Sequence, residues 1–158
     1  MATVQQVEKS PETISFFVPG QPVPKARPRT VRNKKTGKVH SFTPEKSANF
    51  ENLVKLKAEE AMYGKEPLLG PLEARIIVSL PIPTAWSKKR QDEALRGEIA
   101  PTKKPDLDNV VKSLKDGMNA VAYRDDSQIV RMTAEKQYSA TPGVFVVISP
   151  VEGTRAAP

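Results

Sequence analysis

Residues 104–128 read Lys-Pro-Asp-Leu-Asp-Asn-Val-Val-Lys-Ser-Leu-Lys-Asp-Gly-Met-Asn-Ala-Val-Ala-Tyr-Arg-Asp-Asp-Ser-Gln, and the class of the fold turns on this stretch. Pro105 biases its neighbourhood toward extended backbone. In extended chain Asp106 and Asp108 point to one side and Leu107 to the other, so the two carboxylates can share a ligand. From about Asn109 to Val121 the residues Val110, Val111, Leu114, Met118 and Val121 recur at helical spacing, which predicts a helix with one buried face. With Asp108 as its N-cap, Lys112 sits four residues on, over the same face. Past Val121, Tyr123-Arg124-Asp125-Asp126-Ser127 leads into a predicted strand at Ile129–Tyr138 and returns carboxylates to the sheet edge.

Working outward, strands are predicted at Ile14–Val18, Ala74–Leu80 and Val144–Ser149, with a shorter one near Lys38–Phe42. A second helix is signposted by Thr43 as cap, Pro44 at its first position, and Gly64 as its stop. Between them runs a stripe of Phe50, Val54, Ala58, Ala61 and Met62. Strands at both ends with two main helices between them predict a single α+β domain over 13–152, flanked by tails at 1–12 and 153–158.

The composition narrows the chemistry. At 158 residues, 38% apolar, the chain should bury roughly 70% of its unfolded surface as one domain. With no cysteine and one histidine, His40, disulfides, thiolate nucleophiles and Cys/His zinc sites are excluded, as is any Ser/His/Asp triad not centred on His40. A bound metal would have to be held by oxygen. The longest apolar run, Val144–Ile148, is far short of the roughly 20 residues that span a bilayer, and Met1–Thr13 is polar, so the expectation is a soluble cytoplasmic protein.

Charge is distributed unevenly. The formal net charge is +7, and Gln21–His40 holds seven basic residues (Lys25, Arg27, Arg29, Arg32, Lys34, Lys35, Lys38) and no acidic one. The whole surplus therefore lies in one segment, which Pro22, Pro24 and Pro28 keep extended. Two readings stand: a solvated loop, or an arm that tracks nucleic-acid phosphates. Conversely, five of the six aspartates (Asp106, Asp108, Asp116, Asp125, Asp126) fall in a window with no glutamate. Asp108 as a mere cap and Asp125-Asp126 as a mere turn is one reading. The other is a cluster neutralised by Mg²⁺ or Mn²⁺, since carboxylates that close repel strongly without a cation. An EF-hand is a poorer alternative because counting from Asp106 puts Val111 and Gly117 where Gly and Glu are required, and no Gly-Lys-Ser/Thr phosphate loop is present.

Taken together, Lys25-Ala26-Arg27-Pro28-Arg29, His40-Ser41-Phe42-Thr43-Pro44, Trp86-Ser87-Lys88-Lys89, Lys104-Pro105-Asp106-Leu107-Asp108-Asn109 with Lys112, and Tyr123-Arg124-Asp125-Asp126-Ser127-Gln128 resemble the RusA-type Holliday-junction endodeoxyribonucleases of phages, prophages and bacteria. The blocks occur in family order. The resemblance implies a small α+β homodimer with a mixed sheet that makes paired, Mg²⁺-dependent cuts in four-way DNA junctions during recombination and repair, Mn²⁺ substituting. It makes Asp106, Asp108 and Asp126 metal ligands, Asp125 a further candidate, and Lys112 the catalytic lysine. Lys25, Arg27, Arg29 and Lys104 become DNA contacts. Lys88, Lys89 and Arg90, in a segment from Ser87 to Ala100, are either flap contacts or solvated charges. A two-fold dimer would carry one aspartate site per subunit. The competing class is a non-catalytic basic nucleic-acid-binding module, which has no use for carboxylates beside phosphate.

Overall fold

The computed structural model describes residues 12–42 and 44–158. The expected tail before Glu12 and the expected cap Thr43 lie outside them. A four-stranded sheet takes the order β1-β6-β4-β5, built from β1 (Ile14–Pro19), β4 (Leu72–Pro81), β5 (Ile129–Ser139) and β6 (Gly143–Pro150). β4 and β5 run parallel while β6 is antiparallel to both β1 and β4, so the sheet is mixed. A separate ribbon pairs β2 (Arg29–Arg32) with β3 (Val39–Phe42).

Three helices accompany the strands: α1 (Glu45–Met62), α2 (Lys88–Leu95) and α3 (Leu107–Met118). α1 buries Phe50, Val54, Ala58 and Met62 of the expected stripe and Ser47 besides, with Ala61 half-buried at its margin. It ends where Tyr63 and Gly64 both turn left-handed, at φ 51° and 75°. Pro44 precedes the helix with extended ψ instead of occupying its first turn. α3 buries Val110, Val111, Leu114 and Met118 as expected but begins two residues early. Asp106 is therefore the boundary residue, Asp108 lies inside the first turn, and Val121 falls beyond the helix; the expected cap at Asp108 is corrected accordingly. Ala120 at φ 64° terminates the helix.

α2 and β2 were not expected. Ser87 caps α2 by accepting from the Arg90 amide, yet only Ala94 is buried, so the helix offers almost no apolar periodicity to read. β2 is exposed at every residue and likewise lacks a core pattern.

The core is the face of the sheet that α1 and α3 cover. Leu72, Ala74, Ile76, Val78 and Leu80 alternate toward it from β4, joined by Val18, Val144, Val146 and Ile148. The two helices meet closely at Gly117, where an added Cβ would lie 2.7 Å from Val54 Cβ and 2.9 Å from the Glu51 carbonyl. No helix among the described residues is long and apolar enough to cross a membrane.

Candidate active site

Extended backbone at Asp106 followed by the first turn of α3 exposes Asp106 and Asp108, while Leu107 packs against the core. The division is the expected one, but Asp108 faces out from the first helical turn and not from extended chain. Pro105 follows a cis peptide bond from Lys104, and contacts from two other segments position the stretch. The Lys136 ammonium, reaching from β5, donates to the carbonyls of Lys103 (3.0 Å) and Pro105 (3.1 Å). The Lys25 amide donates to the Asn109 carbonyl at 2.9 Å. Asp106 and Lys104 open onto a cleft shared with Gln21, Pro22, Pro24 and Asn109.

Asp108, Lys112 and Lys115 follow at positions i, i+4 and i+7, one face of α3. Lys112 is exposed. Lys115 meets Asp126, its ammonium 3.3 Å from Oδ2. Lys115 lies nine residues past Asp106, about 13 Å along the helix axis at 1.5 Å per residue. Asp126 thus pairs with the last turn of α3, whereas Asp106 and Asp108 sit at its first. Among the described residues no three acidic or histidine side chains come together to hold a metal.

Asp125 and Asp126 belong to a tight 3₁₀ turn, Asp126–Gln128, that starts β5. The Asp125 carboxylate accepts from the Ser127 amide at 3.0 Å, and the Gln128 side-chain carbonyl accepts from the amides of Arg124 and Asp125. The Gln128 amide nitrogen donates in turn to the carbonyls of Leu68 and Gly70, pinning the turn to the body. The Ser127 amide, then Asp126, hold the Asp125 carboxyl below its usual range. Behind the turn, buried Tyr123 donates to the Lys115 carbonyl. Burial, with Asp126, Asp116 and Asp125 adding, pushes its hydroxyl far above its ordinary value.

The expected DNA contacts divide. Lys25 is engaged internally: its ammonium bonds Glu51 of α1 and Asp116 of α3, at 2.9 Å to the latter. The hydrogen bond it donates to Glu51 is the main reason its pKa is raised. Arg27 and Arg29 are exposed. Lys88 pairs with Asp92 along α2 at 3.1 Å, Lys89 is exposed, and Arg90 lies over the Trp86 ring, 5.5 Å from its centre. Trp86 in turn meets Tyr138 of β5 edge-on, so Arg90 helps hold α2 against the sheet.

Sequence reasoning missed Lys115, Lys136 and Gln128. Lys115 was legible by its spacing from Asp108. Lys136 was signalled by a charge on the inward side of β5, between Ala134 and Tyr138.

Comparison with known proteins gives two matches. The family model described as endodeoxyribonuclease RusA matches residues 19–149. A Bacillus subtilis (strain 168) protein described as uncharacterized protein YqaN is 41% identical over 144 residues, covering 89% of this chain and 98% of that protein.

Proposed function

This chain belongs to the RusA endodeoxyribonuclease family, and from that premise we propose that it is a Mg²⁺-dependent nuclease that resolves four-way DNA junctions as a two-fold dimer. The observation that carries the reading is the exposed pair Asp106 and Asp108 on the anchored first turn of α3, with Lys112 one turn on.

The donor set suits a hard cation: carboxylate oxygens with no sulfur or imidazole beside them. Asp106 and Asp108 would hold it, Mn²⁺ substituting. When bound, such an ion supplies Lewis-acid polarisation of the phosphate and a more acidic water. The protein's own groups do the remainder. Lys136 and the Asn109 carbonyl hold the segment in place, and Lys112 neutralises charge gathering on the phosphate oxygens as the bond breaks.

Two carboxylates leave the set short, and the third, Asp126, stands at the far end of α3. A dimer partner whose α3 ran antiparallel to this one would supply its Asp126 to Asp106 and Asp108. Two equivalent sites then serve the two nicks a junction needs. Asp125, engaged by Ser127, supports the turn that presents Asp126.

The test is cleavage of a synthetic four-way junction and a matched linear duplex, with and without Mg²⁺. Junction-selective cutting that EDTA abolishes is expected. Undiminished cutting in EDTA, or none with Mg²⁺ or Mn²⁺, would sink the proposal.

A further inference from the structure

The β2–β3 ribbon carries charge and shape that the cleavage site does not use. All eight of its residues are exposed on both faces. Register places Arg29, Val31, His40 and Phe42 on one face and Thr30, Arg32, Val39 and Ser41 on the other. Val31, Val39 and Phe42 are 52%, 59% and 47% exposed. A two-stranded hairpin without a third strand or helix on it is marginal in water, so this one calls for a partner.

Despite that, it is well organised at both ends. At its base the Lys25 amide bonds the Asn109 carbonyl and the Ala26 amide bonds buried Ser47 Oγ, tying the arm to α3 and α1. At its tip Asn33 Oδ1 accepts from the amides of Lys35 and Thr36, the Asn33 amide donates to Lys38, and Gly37 at φ 69° donates back to the Asn33 carbonyl. The turn therefore displays Lys34, Lys35 and Lys38 on a defined frame.

We propose that this ribbon is a groove-binding arm that lies along a duplex arm of the DNA, its tip lysines on the phosphates; the inference rests on the nuclease reading for its substrate. Four residues of strand span about 13 Å, with strands about 4.8 Å apart, and a two-stranded ribbon is one of the shapes that the roughly 12 Å major groove admits. Charge selects the partner. With Lys25 neutralised internally, six basic residues and no acidic one remain between Ala26 and His40. Two such ribbons repel each other, which disfavours a second copy of the chain as occupant and favours a polyanion.

Full-length protein is titrated in EDTA with a linear duplex of natural sequence across a range of salt. Replacing Lys34, Lys35 and Lys38 together by alanine should weaken binding by about tenfold or more and flatten the salt slope by roughly 0.9 per lost contact. The same three changed to arginine should bind as wild type. Gly37→Val keeps every charge but strains the tip, and should also weaken binding. Loss of duplex binding in both the alanine and the valine variants, with wild-type melting temperature, supports the arm. An unchanged slope in the alanine variant overturns it, as does wild-type affinity in Gly37→Val. A change in dimer mass by light scattering would assign the ribbon to subunit contact instead and overturn it too. Since no cutting occurs in EDTA, failure of the nuclease reading shows separately, in the Mg²⁺ assay.

Discussion

Asp106 and Asp108 face solvent while Leu107 between them packs inward, and this alternation makes the pair separable from folding. Asp106→Asn or Asp108→Asn should abolish junction cleavage yet keep or tighten junction binding, because a negative charge near phosphate is removed. Wild-type cleavage rates in both would refute the assignment. Lys112→Ala should slow single-turnover cleavage by about 100-fold or more, in the range for loss of a charge-stabilising donor. Lys25 behaves differently from its neighbours. Its ammonium is held by Glu51 and Asp116, so Lys25→Ala should lower the melting temperature and leave the salt slope of DNA binding unchanged, whereas Arg27→Ala and Arg29→Ala should each flatten that slope by about 0.9. Salt titrations of the three single variants separate these roles. Lys25 was legible as a cation but not as an internal one, because both of its partners are far away in sequence and reach it only through the packing of α1 on α3.

At the level of elements, the α1–α3 contact depends on Gly117. Alanine there meets Val54 at 2.7 Å, and overpacking of about 1–3 kcal/mol exceeds the ~1 kcal/mol gained in helix propensity. Gly117→Ala should therefore destabilise the fold in urea denaturation, and Val54→Ala in the same chain should not rescue it, since Val54 Cβ and the Glu51 carbonyl both remain. The turn before β5 has its own pH signature. Asp125 is held below its usual value of 3.8, so the stability it lends is present above 3.8 and is lost as pH falls through the lower folded value. The Ser127 amide resonance should titrate with a midpoint below 3.8; a midpoint at or above it would mean that the carboxylate is not engaged.

For the whole molecule, the separation of Asp126 from Asp106 along α3 yields a complementation test. Asp108→Asn and Asp126→Asn homodimers should each be inactive. Mixed dimers with one change per subunit should regain nicking, since one composite site loses both carboxylates and the other keeps all of its own. No recovery, with mixed dimers verified by mass, would place each site within a single chain.

What the sequence determined by itself were the features written in local periodicity. The four strands of the main sheet, both large helices and the inward or outward sense of Asp106, Leu107 and Asp108 follow from side-chain spacing, because alternation and the 3.6-residue turn are properties of the backbone over a few residues. The ribbon's first strand, β2, and α2 escaped because neither buries an apolar face, leaving no period to detect. Only the tertiary structure decided that Lys136 anchors the aspartate segment, that Lys25 closes an internal ion pair, and that Asp126 lies beside Lys115. Each depends on which distant elements pack together, and a chain's charge pattern does not encode that. The 12 residues of α3 act as a rigid spacer, so carboxylates written close together in sequence end up at opposite ends of one rod.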